Sequence, residues 1–227
     1  MKIKKLYQID DGIYEFKNEK SSFILTKDSF FDEEDTCKKI EYKENMYRIW
    51  NYKKSKLGVI YKKKCKHIPS FKNKNILYLG ASFGTTVSYI SDILYESSGM
   101  IYAVEFSEVP LRSLIAISKK RTNILPIFAD ALHPETYSSI VNNIDIIYQD
   151  ISQVNQIDIA MKNIYYFLNL NGFIILILKA RSISSTLKIN DIFNEEIKKI
   201  KLNKKLKILN IINLKPYYKD HLCIIIK

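Results

Sequence analysis

A chain of 227 residues, of which 47% are hydrophobic and 26% are charged, has the composition of a globular protein and not of a disordered or collagenous one. Lysine and arginine (36) outnumber aspartate and glutamate (24), and the formal net charge of +12 mildly favours a polyanionic partner such as a nucleic acid. The longest apolar stretch, Phe173 to Leu178, is much shorter than the roughly 20 residues of a membrane-spanning helix, so we predict no membrane span.

The first residues and the cysteines both indicate an intracellular protein that is not secreted. Met1 to Lys5 is basic, but acidic and aromatic residues follow where a signal peptide needs a continuous apolar stretch. Cys37, Cys65 and Cys223 are odd in number and form no CxxC pair, which is typical of a reducing compartment and predicts no metal site.

The residues up to about Tyr47 show the pattern of short antiparallel strands. Alternating stretches at Ile13 to Phe16 and Ser22 to Thr26 are separated by polar turns at 10–12 and 17–21. We therefore predict a small antiparallel β domain over residues 1–47. A charged stretch from Phe31 to Lys39 leads towards the second domain, predicted over residues 48–227.

From Asn75 onward, apolar runs of high β propensity alternate with helical patterns. The predicted strands are 75–79, 100–105, 124–129, 144–149 and 173–179, and the predicted helices begin near Thr85, Val109, Pro134, Gln153 and Ile189. This alternation predicts a parallel sheet covered by helices on both faces. Two further strands, 207–214 and 222–226, are joined by a loop short enough for antiparallel pairing. An α/β, Rossmann-like sheet that ends in an antiparallel hairpin is typical of nucleoside-cofactor methyltransferases.

A glycine-containing turn and three acidic residues indicate a cofactor site. Gly80 and Gly84 lie between the first of these strands and its helix, where missing side chains let a ligand approach the backbone. Glu105 ends the next strand, 21 residues after Gly84, which suits a carboxylate that binds a ribose diol. Asp130 and Asp150 end the following two strands. Because such strand ends share one edge of the sheet, we expect the three acids to converge on S-adenosylmethionine.

The same turn allows a different interpretation. Gly80 to Gly84 reads G-x-S-x-G, the nucleophile elbow of serine hydrolases, and Asp150 and His221 follow Ser82 in hydrolase order. A hydrolase would leave Glu105 without a role and would not need a basic surface. We therefore rank this alternative well behind a methyltransferase.

Several strings in this sequence are specific enough to indicate a family. They include Tyr47-Arg48-Ile49-Trp50-Asn51, Gly84-Thr85-Thr86-Val87-Ser88, Tyr102-Ala103-Val104-Glu105-Phe106-Ser107, Lys119-Lys120-Arg121-Thr122-Asn123 and Asp220-His221. With these strings the sequence resembles fibrillarin, the box C/D guide-directed RNA 2′-O-methyltransferase family. The resemblance implies a short N-terminal β domain followed by a Rossmann-like methyltransferase. With the glycine turn, it implies cofactor binding by Gly80, Ala81, Gly84, Thr85, Thr86, Glu105, Phe106, Asp130, Ala131, Asp150 and Gln153.

The resemblance also implies a catalytic group and a set of partners. The catalytic residues are Lys56, Asp150, Lys179 and His221. Our hypothesis is that Lys179 orients or deprotonates the 2′-hydroxyl, that Asp150 fixes this lysine, and that Lys56 and His221 hold the ribose and phosphate. The implied partners are a box C/D guide RNA, an rRNA substrate, a Nop-type scaffold protein and a kink-turn-binding protein. The expected location is the nucleus or nucleolus of a eukaryote, or the cytoplasm of an archaeon.

The sequence departs from the family pattern at Tyr52, Phe83 and Val154. These departures keep open a second reading, in which the chain is a catalytically weakened structural subunit of the same particle. The basic residues Lys53, Lys54, Lys56 and Lys62 to Lys64 either contact RNA phosphates or form a solvated helix face.

Overall fold

The computed structural model describes residues 5–17, 21–30 and 36–227, and their strands form two sheets. The first sheet is antiparallel, with the order β1-β2-β3-β5-β4. Its strands are β1 (Leu6–Asp10), β2 (Ile13–Lys17), β3 (Ser22–Lys27), β4 (Lys39–Tyr42) and β5 (Asn45–Ile49). The predicted strands at 13–16 and 22–26 are confirmed as β2 and β3. Residues 31–35 of the charged stretch and 18–20 of the second predicted turn lie outside the described residues.

The second sheet is the predicted Rossmann-like one. Its order is β11-β12-β10-β9-β6-β7-β8, and β12 runs antiparallel to both of its neighbours. Its strands are β6 (Ile76–Leu79), β7 (Ile101–Glu105), β8 (Ile124–Phe128), β9 (Ile144–Gln149), β10 (Leu168–Lys179), β11 (Ile208–Asn213) and β12 (His221–Ile226). The helices are α1 (Lys56–Lys62), α2 (Thr85–Leu94), α3 (Glu108–Lys120), α4 (Gln156–Phe167), α5 (Ala180–Ile183) and α6 (Ile189–Leu202). No helix among the described residues is long and apolar enough to cross a bilayer.

Three predicted elements differ from the structure. The helix expected near Pro134 is a single 3-10 turn, Pro134–Tyr137. The helix expected near Gln153 begins three residues later, at Gln156, after the N-cap residue Asn155, and the Gln153 side chain is bound to Asp130 in the loop after β8. Strand β10 begins at Leu168 and not at Phe173. Its pairing with β9 shifts register between these two residues, and the exposed residues 169–171 separate Leu168 from the apolar run that predicted the strand.

Alternate residues of the central strands enter two separate cores. Tyr78 and Tyr148 face one core together with Ile13 and Trp50 of the N-terminal region, whereas Leu77 and its neighbours face the other. The first sheet therefore packs against the helices on one face of the second sheet. The boundary predicted between residues 47 and 48 stays a prediction, and β5 runs two residues beyond it.

A buried ion-pair network joins the first sheet to two helices that cover the second sheet. Asp92 of α2 accepts from Arg48 of β5 at 2.5 Å and from Arg121, at the end of α3, at 2.6 Å. All three side chains are at most 3% exposed. Because removing one partner from a buried charge network is costly, this contact fixes the first sheet relative to α2 and α3.

Candidate active site

The turn between β6 and α2 brings the backbone close to the end of β9. Gly80 has φ of +80°, and a Cβ there would lie 2.8 Å from the Asp150 carbonyl oxygen. Gly84 also has φ of +80°, and a Cβ there would lie 2.9 Å from Ile117 Cδ1. Both positions therefore need glycine. Ala81, between them, is buried. We call this turn, together with Glu105, Asp130 and Gln153, the cradle.

Glu105 ties this turn to the next one. Its Oε2 accepts from the Ser82 backbone N–H at 2.7 Å and its Oε1 accepts from the Ser107 N–H at 2.8 Å. The carboxylate is only 6% exposed, whereas the neighbouring Phe106 is 60% exposed. Each carboxylate oxygen keeps a second lone pair for a ligand hydroxyl. This arrangement suits a ribose diol flanked by an aromatic ring.

Asp130 and Gln153 form the next wall of the cradle. Asp130 Oδ1 accepts from Gln153 Nε2 and from the Leu132 N–H, both at 2.9 Å. Gln153 Oε1 is buried and has no hydrogen-bond partner among the described residues. A buried acceptor of this kind needs a donor, and a cofactor with an amino or hydroxyl group would supply one. Ala131 is buried beside these residues.

Helix α2 begins directly at the glycine turn. Thr85 is its first residue, and Thr86 Oγ1 donates to Ser55 Oγ at 3.1 Å. Ser55 in turn caps α1 by accepting from the Gly58 N–H at 3.3 Å. The start of α1, which carries Lys56, is thus fixed to the start of α2. The free N–H groups at the start of α2 favour a carboxylate, such as that of an amino-acid moiety.

The four residues that the family resemblance assigned to catalysis lie at this edge of the sheet. Asp150 Oδ2 accepts from Lys56 Nζ at 2.9 Å, and Asp150 Oδ1 lies 2.8 Å from Lys179 Nζ. Lys179 Nζ also donates to the Asp150 carbonyl oxygen and to Ser152 Oγ, both at 3.0 Å. His221 lies opposite Lys179 in the pairing of β12 with β10. We call Lys56, Asp150 and Lys179 the ion-pair cluster.

The surroundings lower the proton affinity of Lys179 in this cluster and of the neighbouring His221. Burial lowers the pKa of Lys179, and the positive charge of Lys56 lowers it further, while Asp150 opposes the change. Burial also lowers the pKa of His221, whose Nδ1 lies 2.5 Å from the Lys219 carbonyl oxygen. A lysine whose proton is held less tightly than usual gives up that proton more readily.

The hydrolase alternative requires contacts that the structure does not form. Ser82 is exposed, and its backbone N–H is bound to Glu105. The Asp150 carboxylate is held by two lysines, and His221 Nδ1 is engaged by Lys219. Among the described residues, Ser82, His221 and Asp150 therefore form no hydrogen-bonded triad.

Several features of the site were not evident from the sequence. Ser152 and Tyr218 contact the cluster, and no motif singled them out. Of the basic residues near α1, Lys53 and Lys54 are exposed, whereas Lys62 Nζ donates to the Ser22 carbonyl oxygen at 2.6 Å. Lys62 is therefore a contact between α1 and the first sheet.

The chain is similar along its length to proteins of one family. The fibrillarin family model matches residues 4–227. A fibrillarin-like rRNA/tRNA 2′-O-methyltransferase from Methanosarcina barkeri is 41% identical, with 97% of each chain covered. A structure of Aeropyrum pernix fibrillarin with natively bound S-adenosyl-L-methionine is 32% identical, with a TM-score of 0.88 and 100% of both chains covered. The fibrillarin of a fibrillarin/Nop5p complex is 35% identical, with a TM-score of 0.83, over 96% of this chain and 98% of that one.

Proposed function

The chain belongs to the fibrillarin family, and we propose that it transfers a methyl group from S-adenosylmethionine to ribose 2′-hydroxyls of ribosomal RNA under the direction of a guide RNA. The observation that carries this proposal is the ion-pair cluster beside the glycine turn. It places one carboxylate in contact with two lysine side chains at the edge of the sheet where a cofactor would bind.

The residues of the cradle fit S-adenosylmethionine. When bound, this cofactor supplies a methyl group on a cationic sulfonium. Glu105 would accept hydrogen bonds from the ribose diol, and Phe106 would flank the adenosine. The unpaired Gln153 Oε1 would accept from a donor of the cofactor, and the start of α2 would face its carboxylate. The acidic side chains also favour a cation over a pyrophosphate.

The ion-pair cluster supplies what the acceptor needs. A ribose hydroxyl is a weak nucleophile, and it must lose its proton as its oxygen attacks the methyl carbon in line with the departing sulfur. As an ammonium, Lys179 would orient this hydroxyl, and as a neutral amine it would take the hydroxyl proton. Asp150 holds Lys179 in place through two contacts. Lys56 and His221 hold the ribose and the adjoining phosphate.

The chain would act inside a particle. We propose a Nop-type scaffold protein as its direct partner, supported by the similarity to the fibrillarin of the fibrillarin/Nop5p complex. A box C/D guide RNA and a kink-turn-binding protein complete the proposed assembly, and the net charge of +12 suits an RNA partner. The proposed location is nucleolar in a eukaryotic cell and cytoplasmic in an archaeal one.

A reconstituted particle tests the function directly. The chain is combined with a Nop-type protein, a kink-turn-binding protein and a guide RNA, and tritium transfer from labelled S-adenosylmethionine to a matching target RNA is measured. We expect transfer to the ribose target and none to a control RNA with a single 2′-deoxy substitution at the target nucleotide. Equal labelling of both RNAs would contradict 2′-O-methylation.

Two further outcomes separate the alternatives. Cofactor binding by calorimetry without any methyl transfer would support the structural-subunit reading. Covalent labelling of Ser82 by a fluorophosphonate would support the hydrolase reading.

A further inference from the structure

A tyrosine that no sequence motif indicated lies against the ion-pair cluster. Tyr218 follows β11 in the loop that leads to β12, and its backbone N–H donates to the Leu214 carbonyl oxygen at 3.1 Å. Its ring centroid lies 4.8 Å from Lys56 Nζ and 5.6 Å from the centroid of the His221 ring. Tyr218 thus touches two of the four proposed catalytic residues through its ring.

The hydroxyl of Tyr218 does not explain its position. This oxygen is buried and has no hydrogen-bond partner among the described residues. Burial, together with the nearby charge of Asp150, raises the pKa of Tyr218, so the phenol is neutral at physiological pH. Among the described residues, the contacts of this side chain with Lys56 and His221 are therefore made by its ring.

Lys56 needs such a contact because it shares its counter-charge. Asp150 carries one negative charge between two ammonium groups, at 2.9 Å from Lys56 and 2.8 Å from Lys179. The negative face of an aromatic ring attracts a cation within about 6 Å, and the attraction is larger where water is excluded. Both lysine side chains are only 14% exposed, so the ring acts at a largely desolvated position.

We propose that Tyr218 is a positioning residue whose ring holds the Lys56 ammonium beside Asp150. Lysine has a flexible four-carbon stem, and the ring restricts where its ammonium lies. The Lys56 ammonium then remains in contact with Oδ2 of Asp150, and Oδ1 remains available to Lys179. This inference rests on the proposed function, because it assigns Lys56 a role in holding the RNA acceptor.

Three variants separate the ring from the hydroxyl and from general effects on the loop. Tyr218→Phe keeps the ring, Tyr218→Leu removes it, and Tyr217→Leu is the matched control. Tyr217 is 42% exposed and packs edge-on against Tyr52 with a centroid distance of 5.7 Å, so it lies outside the ion-pair cluster.

The first measurement is the single-turnover rate of methylation in the reconstituted particle at saturating cofactor and RNA. We expect the Phe variant and the Tyr217 control to stay within about twofold of the wild-type rate, and the Leu variant to be roughly tenfold slower. Cofactor affinity, measured by calorimetry, should change by less than about twofold in all three variants. A wild-type rate for Tyr218→Leu, or an equal loss in Tyr218→Phe, would overturn the proposal. Tyr218→Met, which has a long apolar side chain, replaces the Leu variant if thermal unfolding shows that the latter is not folded.

The second measurement does not depend on activity. Acylation of Lys56 in the folded chain by a small amine-reactive ester is followed by mass spectrometry of the peptides obtained after proteolysis. Loss of the ring should free the amine, so Lys56 should react several times faster in Tyr218→Leu and at the wild-type rate in Tyr218→Phe. Unchanged labelling in the Leu variant would overturn the placement of Lys56 by Tyr218. Absence of methylation by the wild-type particle would instead refute the proposed function.

Discussion

Replacing Lys179 with methionine should slow methyl transfer strongly while leaving cofactor binding intact. The Lys179 ammonium contacts the Asp150 carboxylate at 2.8 Å and the Asp150 carbonyl and Ser152 hydroxyl oxygens at 3.0 Å. Methionine keeps a long unbranched side chain but supplies none of these contacts. The cradle formed by Glu105 and Gln153 is built from other strand ends and does not use Lys179.

Lys179→Met should change the methylation rate much more than the free energy of unfolding. A positioned acid–base group contributes about 10²-fold or more to the rate, which corresponds to about 2.7 kcal/mol of activation free energy. The free energy of unfolding should fall by only about 1 kcal/mol, because Asp150 keeps Lys56 at 2.9 Å and the cost of burying a second ammonium disappears. By contrast, Asp150→Ala leaves two lysines without their shared carboxylate and should cost about 3–5 kcal/mol.

The assay is single-turnover methylation in the reconstituted particle, with calorimetry for the cofactor and urea unfolding for stability. We expect a rate about 10²-fold lower for Lys179→Met, with cofactor affinity within about twofold of the wild type. A near-normal rate would refute the catalytic role of Lys179. A parallel loss of cofactor affinity would refute the separation of chemistry from binding.

Four other substitutions test the rest of the site and the scaffold. Glu105→Ala should weaken S-adenosylmethionine binding by about 1.5–3 kcal/mol, since a charged acceptor is lost, and unchanged affinity by calorimetry would remove it from the cofactor site. Ser82→Ala should leave methylation nearly unchanged, and loss of all activity would favour the hydrolase reading. Burial lowers the pKa of His221 below 6.5, so the unfolded chain binds more protons than the folded one and the free energy of unfolding falls as the pH drops below 6.5. This fall should be smaller in His221→Gln. Equal urea midpoints of the wild type at pH 5.5 and 7.5 would contradict this prediction. Asp92→Ala removes the carboxylate that Arg48 and Arg121 share and should lower the free energy of unfolding by about 3–5 kcal/mol, whereas a change below about 1 kcal/mol would mean that the network contributes little.

Local patterns in the sequence were sufficient to predict the type of fold. The runs at β6, β7 and β9 are apolar because both faces of a central parallel strand are buried, and that property can be read without knowing the neighbours. The glycine turn could also be predicted locally, because a backbone φ of +80°, as at Gly80 and Gly84, favours glycine whatever the distant contacts are. The spacing from Gly84 to Glu105 then follows from one strand–helix–strand unit.

The composition of the site was decided by tertiary structure. Lys56 and Asp150 are 94 residues apart, and they meet because β9 lies beside β6 while Ser55 and Thr86 join the start of α1 to that of α2. The hydrophobic periodicity of the sequence gives no information on a contact between residues so far apart. Only the family resemblance predicted that Lys56 and Asp150 belong to one site. Even the resemblance did not indicate Tyr218, because its place against Lys56 depends on the path of the loop before β12. Hydrophobic periodicity and turn residues determine structure over a few neighbouring residues and can be read from the sequence. The pKa of Lys179 is lowered by burial and by the charge of Lys56 from a distant part of the chain, so its shift depends on the tertiary structure.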